Sequence, residues 1–299
     1  MVSITEQSHL VNPLATSAQL ETSASQLDGV PRDLEDSIRY QTARLNQAAG
    51  ILLRLPQEII AQSIVILQRF WLGPDGGSML EQDPKDVAAA ALYLAAKPSG
   101  HALSSRQTLT VFEYLNSLEG EYASAADGEG PHVSKWKPFE GDTYDPQLQR
   151  LYQNEALILR TLGFDTHVAL PYNLCINYMQ TLDVFGEQDA TRLVQRVFAH
   201  LNSALLSPQL LYLTHQPCAL ATASIYLAAR ETGIIMPDVE WWEVFDVDRE
   251  ELGFLVVALR SAKGFAAEER QRWQKKSVPL TTDELRSTIE RQRMLEAGE

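Results

Sequence analysis

The sequence is short of cysteine and of basic side chains, and both shortages restrict what this protein can be. Cys175 and Cys218 are the two cysteines among 299 residues, and their wide separation provides no metal-ligand motif. We expect both thiols to be reduced and buried in an intracellular protein. The 25 Lys and Arg residues are outnumbered by 39 Asp and Glu, so the formal net charge is -14. Direct nucleic-acid binding requires cations that neutralise phosphates, and this charge argues against it.

Long apolar runs and catalytic motifs are also missing from the sequence. No run of about 20 apolar residues is present, and the N-terminal residues lack the basic-then-apolar pattern of a signal peptide. We therefore expect neither a membrane span nor secretion by that route. Gly73, Gly76 and Gly77 indicate a turn rather than a phosphate-binding loop, and the six histidines show no metal-ligand spacing. We expect no metal, no cofactor and no enzymatic chemistry.

An alanine-rich stretch at residues 87–97 is the feature around which the rest is organised, with the sequence VAAAALYLAAK. Alanine is the best helix former, and Asp83 and Pro84 before the stretch predict an N-cap and a first-turn proline. Pro98 and Gly100 end the helix. Because methyl-sized side chains let other helices approach from several directions, we predict the central helix of a bundle.

A second alanine-rich stretch repeats this design later in the chain. Residues 226–230 read YLAAR and match the YLAAK of residues 93–97. The separation is about one domain length, which favours a duplicated helical domain over a solenoid array. Chance similarity between two alanine-rich helices is the alternative.

Apolar periodicity predicts an all-α fold made of two five-helix bundles. The expected helices of the first bundle are 33–55, one opened by Pro56, the alanine-rich helix, one capped by Ser104 with Gln107, and 148–162. The expected helices of the second bundle are 171–185, 188–206, 217–230, 238–245 and 248–262.

These patterns divide the chain into four segments. Residues 1–32 are polar and predict a flexible N-terminal tail. The first bundle occupies 33–165 and contains an acidic, glycine-rich insertion at 119–144, which is expected to be exposed. The second bundle occupies 166–265, and residues 266–299 form a charged C-terminal extension with a last exposed helix.

The chain resembles the cyclin family over about residues 33–265, and within that family it is most similar to cyclin L. The runs that carry this resemblance are QAAGILLRLPQ at 47–57, QRF at 68–70 and the segment 216–230. The resemblance implies two tandem five-helix cyclin boxes, each built round a small-residue third helix. It also implies a nuclear regulatory subunit that binds and activates a cyclin-dependent Ser/Thr kinase acting in transcription and pre-mRNA splicing.

The resemblance assigns kinase-binding roles to particular residues of the first box. In the family, this box holds the mobile C-helix of the kinase inward so that the Lys–Glu pair that orients ATP can form. Lys97 and Glu155 match the family's lysine and glutamate, which pair with each other and bond to backbone groups of that helix. Leu94, Leu159 and Phe164 align with apolar contact positions. Read without the family, all five have ordinary roles as helix-end charges or core residues.

The sequence also departs from the family pattern in three respects. Pro98-Ser99-Gly100 replaces the usual apolar residue and two acids after the lysine, which weakens part of the expected kinase contact. The apolar substrate-recruiting patch of cell-cycle cyclins is largely lost at 38–42, and the arginine- and serine-rich tail of animal cyclin L is absent from this chain. Two alternatives remain: a basal transcription factor resembling factor IIB, and a non-activating helical scaffold.

Overall fold

The computed structural model describes residues 10–118, 141–186, 189–274 and 277–297. These residues form thirteen α-helices and two short 3₁₀ turns, and no strand occurs among them. They divide into two compact units. The first unit contains the described residues of 16–166 and 268–299, and the second contains those of 1–15 and 167–267. The prediction of an all-α fold with two five-helix boxes is confirmed.

The first unit contains a five-helix bundle with additional helices before and after it. Its helices are α1 Ser17–Glu21, α2 Ala24–Leu27, α3 Arg32–Leu52, α4 Gln57–Phe70, α5 Pro84–Ala96, α6 Ser105–Ser117, α7 Gly141–Thr161 and α13 Thr282–Ala297.

The alanine-rich helix α5 lies at the centre of this bundle, as the sequence predicted. It packs against α3, α4, α6 and α7, and every residue from Val87 to Ala96 is buried. The four neighbouring helices can approach α5 closely because each alanine adds only a methyl group to its surface. The N-terminus of α5 differs from the prediction, because the Asp83 side chain does not cap it. Asp83 Oδ1 instead accepts a hydrogen bond of 2.7 Å from the backbone N–H of Thr282.

Two helix starts in the first unit test predictions made from capping patterns. The capping box of Ser104 and Gln107 is present at the start of α6. The last helix of the bundle, α7, begins at Gly141 rather than at 148 and contains Pro146 in its second turn. The proline lies near the helix N-terminus, where its missing N–H removes a single intrahelical hydrogen bond. The predicted insertion at 119–144 therefore ends in helix, and its residues 119–140 lie outside the described residues.

The segment 1–32, predicted as a flexible N-terminal tail, contains the helices α1 and α2 within its described part, residues 10–32. Thr16 and Gln19 form a capping box at α1. Asn12 is buried in the second unit, where its side-chain amide donates to Ala169 O and accepts from Ala169 N, both at 2.8 Å. Side-chain amides and hydroxyls secure this segment with hydrogen bonds, so the scarcity of large apolar residues did not prevent order.

The second unit repeats the plan of the first around a second alanine-rich helix. Its α-helices are α8 Tyr172–Thr181, α9 Ala190–Ala204, α10 Leu211–Thr214, α11 Pro217–Thr232 and α12 Arg249–Arg272, of which the last residues, from 268, belong to the first unit. The central α11 packs against α8, α9, α10 and the 3₁₀ turn Trp241–Phe245. The helix expected at 238–245 is therefore this 3₁₀ turn, and α12 continues well beyond the expected end at 262.

The predicted C-terminal extension packs onto the first unit. Arg272 forms an ion pair with Asp33, and the Ser37 hydroxyl donates to Glu269 Oε1 at 3.0 Å. The helix α13 was expected to be exposed, yet Leu285 is fully buried. The apolar residues of α13 recur at helical spacing and form one buried face. The many charged residues of the segment led to the prediction of an exposed helix.

We predict that Leu285→Ala lowers the free energy of unfolding by about 2–4 kcal/mol, because it leaves a cavity beneath α13. Chemical denaturation followed by circular dichroism measures this change. Leu295→Ala is the matched control, since Leu295 lies on the same helix and is largely exposed, and its effect should stay within about 0.5 kcal/mol. Equal stability of the two variants would contradict the packing of α13 against the bundle.

Candidate functional site

The predicted pair of Lys97 and Glu155 is brought together by the packing of α5 against α7. Lys97 ends α5, and its N–H donates to the backbone oxygen of Tyr93. Glu155 lies in α7, and its Oε1 is 2.5 Å from Lys97 Nζ. The side chain of Glu155 is only 10% exposed, whereas that of Lys97 is 42% exposed. The carboxylate is therefore covered by the bundle, and the ammonium group remains accessible to a partner.

Tyr93 is a member of this site that the sequence analysis did not single out. Lys97 Nζ lies 4.6 Å from the centroid of the Tyr93 ring, within the distance of a cation–π contact. The ring of Tyr93 is 6.3 Å from that of Tyr152. Burial raises the pKa of Tyr93, with further contributions from Tyr152 and Glu155, so its hydroxyl stays protonated. The spacing of four residues between Tyr93 and Lys97 was the available signal, because it places both on one helix face.

A second ion pair links the same two helices. Arg150 on α7 lies 3.9 Å from Asp86 on α5. Burial raises the pKa of Asp86, and the nearby charge of Asp83 raises it further, whereas Lys85 and Arg150 oppose the shift. This pair lies near the N-terminus of α5, and the pair of Lys97 and Glu155 lies at its C-terminus. Polar contacts at both ends of α5 thus accompany the apolar packing between α5 and α7.

The three apolar residues expected at this site differ in exposure. Leu94 is buried in the bundle, and Leu159 is half-buried on α7. Phe164 is 70% exposed. Gly163 and Phe164 both have left-handed backbone angles, with φ of 58° and 64°, and the Phe164 N–H donates to Leu159 O at 2.8 Å. This turn holds an aromatic ring in solvent despite the cost of positive φ for a non-glycine residue. The structure therefore presents Phe164 and part of Leu159 to solvent, whereas Leu94 is buried in the bundle.

The departure at Pro98-Ser99-Gly100 forms a polar cap on α5. The Ser99 hydroxyl donates to Ala96 O at 2.7 Å, and it accepts from the N–H of His101 at 3.0 Å. The serine thus satisfies a carbonyl that the end of the helix leaves without an intrahelical partner. Lys97 is left as the last large side chain at this end of α5.

The end of the second alanine-rich helix lacks the arrangement found at Lys97. Arg230 holds the equivalent position on α11 and is exposed, but among the described residues it makes no ion pair. The adjacent Glu231 instead pairs with Arg196 and with His200 Nε2, the latter at 3.0 Å. Among the described residues, an ion pair made by the cation that follows the Tyr-Leu-Ala-Ala run is therefore a feature of the first unit.

The described residues contain neither a candidate metal site nor a candidate membrane span. No group of three or more His, Cys, Asp or Glu side chains there could hold a metal ion. No described helix combines the length and apolar character needed to cross a membrane.

Comparisons with known proteins show which proteins this chain is similar to. No family model matches the sequence. The chain is 30% identical over 242 residues to Cyclin-L1 of Danio rerio, covering 81% of this chain and 45% of that protein. It is 29% identical over 255 residues to the cyclin L homolog cyl-1 of Caenorhabditis elegans, covering 83% and 52%. The chain thus spans about half the length of the curated relatives it matches.

A solved structure shares the fold. The crystal structure of the yeast RNA Pol II CTD kinase CTDK-1 complex includes a chain that matches with a TM-score of 0.67 and 12% sequence identity. The match covers 94% of this chain and 84% of that chain. At this identity the likeness shows the fold alone.

We predict that the Tyr93 ring positions the Lys97 side chain even without a partner. In Tyr93→Phe the aromatic face remains and the Lys97 ε-protons should keep the upfield NMR shift caused by the ring. In Tyr93→Leu that shift should disappear, with a loss of about 0.5–1 kcal/mol of cation–π attraction. Unchanged ε-proton shifts in Tyr93→Leu would show that the ring does not hold the lysine.

Proposed function

This chain belongs to the cyclin family and resembles the cyclin L proteins within it, and on that premise we propose that it is the regulatory subunit of a cyclin-dependent Ser/Thr kinase. The observation that carries the proposal is the pair of Lys97 and Glu155, which is assembled from two helices and leaves the ammonium group accessible. Such a subunit acts through the partner kinase and supplies no catalytic group of its own.

The mechanism follows from differential binding. A kinase helix that docks on the first box meets a cation and an acid whose mutual attraction reduces their desolvation cost. Lys97 donates to carbonyl oxygens of that helix, and Glu155 accepts from its N–H groups. These contacts form when the kinase helix is in its inward position, so they stabilise the active arrangement of the kinase. The population of that arrangement therefore increases.

The apolar part of the contact is formed by residues beside the pair. Leu159 lies one turn after Glu155 on α7 and presents part of its side chain, and Phe164 extends into solvent after the left-handed turn. Both fit an apolar groove beside a docked helix. Leu94, assigned to the same contact by the family resemblance, acts from beneath by supporting α5.

The process in which the kinase acts is inferred from the relatives. Cyclin L proteins and a chain of an RNA polymerase II CTD kinase complex are similar to this chain. We therefore assign the partner to the cyclin-L-associated kinases, the substrates to the polymerase II C-terminal domain and splicing factors, and the location to the nucleus. The factor-IIB-like alternative needs basic surfaces, which the net charge of -14 does not favour.

We predict that Lys97→Glu and Glu155→Lys each weaken kinase binding by about 30-fold or more, since a charged contact loses about 2–5 kcal/mol when one member is replaced. The tagged full-length chain is purified from its own cells, the co-purifying kinase is identified, and binding and phosphorylation of a polymerase-tail peptide are measured. Arg230→Glu reverses the equivalent charge on the second unit and should change binding by less than about threefold.

The exchange variant Lys97→Glu with Glu155→Lys separates a contact role from a structural one. It restores an ion pair between α5 and α7, so helicity and stability should recover. Kinase activation should stay low because both charges face the partner with the wrong sign. Full activation by either single variant would refute the proposal, and the recovery of no kinase would favour the scaffold alternative.

A further inference from the structure

The surface between α11 and α12 combines exposed apolar side chains with an uncompensated negative charge. We name residues 235–248 the acidic turn. It follows α11, contains the 3₁₀ turn Trp241–Phe245 and precedes α12. All of its residues belong to the second unit, and none takes part in the pair of Lys97 and Glu155.

The acidic turn is held in place by buried aromatic rings. Trp241 and Phe245 are buried, and the Phe245 ring stacks on Tyr178 of α8 with centroids 3.9 Å apart. Tyr226 of α11 lies 6.4 Å from Trp241. Packing against two helices fixes the backbone, so a ligand of this surface loses little of its binding free energy to ordering the turn.

Several side chains before and between these buried rings are exposed, and apolar residues adjoin acidic ones. Val239 is 67% exposed and stands between Asp238 and Glu240, while Val244 is 75% exposed and follows Glu243. The exposed Ile235 precedes them in the same segment. Because large apolar side chains gain free energy when removed from water, this arrangement favours a partner that covers them.

The charge of the acidic turn determines which partner can do so. No basic residue occurs within it. Its acidic residues are all exposed: Asp238, Glu240, Glu243, Asp246 and Asp248. Among the described parts of the chain, no ion pair neutralises any of these carboxylates. A partner that covers the valines must therefore approach through a negative electrostatic potential. This potential repels an acidic segment, gives a neutral segment no charge attraction, and attracts a basic segment.

The field extends to the first turn of α12. Glu251 is half-buried, and its pKa is raised first by burial and then by the charge of Asp248. Burial raises the pKa of the Cys218 thiol at the start of α11, and the charges of Glu251 and Asp246 raise it further. Carboxylates from the turn and from α12 thus lie close enough to repel one another, and a bound cation would relieve that repulsion.

From this juxtaposition we infer that the acidic turn is a docking surface for a basic, amphipathic peptide segment of another protein, whose apolar side chains cover Val239 and Val244 while its Arg or Lys residues meet the flanking carboxylates. The chemistry is that of a helix or extended segment in which cations alternate with aliphatic residues. The acidic turn shares no residue with the proposed kinase contact, so the inference does not depend on the proposed function.

Binding of synthetic peptides to the full-length chain tests this inference. The probe is a peptide of about 15 residues, roughly four helical turns, composed of Arg and Leu at amphipathic spacing. Two comparison peptides carry Ser at every Leu position or Glu at every Arg position. At low ionic strength the Arg/Leu peptide should bind about tenfold more tightly than the Ser peptide, and the Glu peptide should not bind.

Matched variants locate the site. The triple variant Asp238→Lys, Glu240→Lys, Glu243→Lys should weaken binding of the Arg/Leu peptide by about tenfold or more. The triple variant Glu21→Lys, Glu58→Lys, Glu290→Lys makes the same change in net charge at exposed acids elsewhere and should weaken it by less than about threefold. Val239→Ser with Val244→Ser keeps every charge and should weaken binding about fivefold.

Three results would overturn the inference. Equal losses in the two triple variants would show attraction to net charge alone. Equal binding of the Arg/Leu and Arg/Ser peptides would show that the valines contribute nothing. Sedimentation that reveals self-association through the acidic turn, abolished by Val239→Ser with Val244→Ser, would identify a second copy of this chain as the occupant. Thermal melting of each variant confirms that the fold is retained.

Discussion

The close approach of four helices to α5 is the constraint on which the first unit depends. The methyl side chains of Ala88–Ala91 leave room for these neighbours, and larger residues would force the helices apart. Because α7 lies directly against α5, Glu155 can reach the lysine at the end of α5. The composition that packs the core therefore also assembles the charged pair, and disturbing one alters the other.

The two units share this design but present different surfaces. In the first unit, Lys97 is paired with Glu155 and placed over an aromatic ring, with Phe164 nearby in sequence after α7. In the second, the helix-end Arg230 is unpaired among the described residues, and the exposed acidic turn follows. The duplicated core thus supports one surface suited to polar groups of a helix and another suited to cations. Function resides in these surfaces rather than in the shared fold.

The elements that follow from local patterns could be predicted from the sequence, and those that depend on distant contacts could not. The boundaries of α5 and the capping box at Ser104 rest on propensity and short-range hydrogen bonds, and both are confirmed. Asp83 looked like a cap, but its carboxylate bonds a residue 199 positions away. Likewise, the buried Asn12 is fixed by a hydrogen bond to a backbone group 157 positions away. The pair at Lys97 was predictable through family resemblance, whereas the contribution of Tyr93 required coordinates.

If Lys97 contacts a kinase, its side chain must be accessible in the free chain and covered in the complex. Amine-reactive labelling, quantified by mass spectrometry, would be compared for the chain alone and the chain bound to its co-purifying kinase. We expect strong labelling of Lys97 in the free chain, since its side chain is 42% exposed, and marked protection in the complex. The exposed Lys263 of the second unit should be labelled equally in both. Equal labelling of Lys97 with and without the kinase would show that the kinase does not cover this side chain.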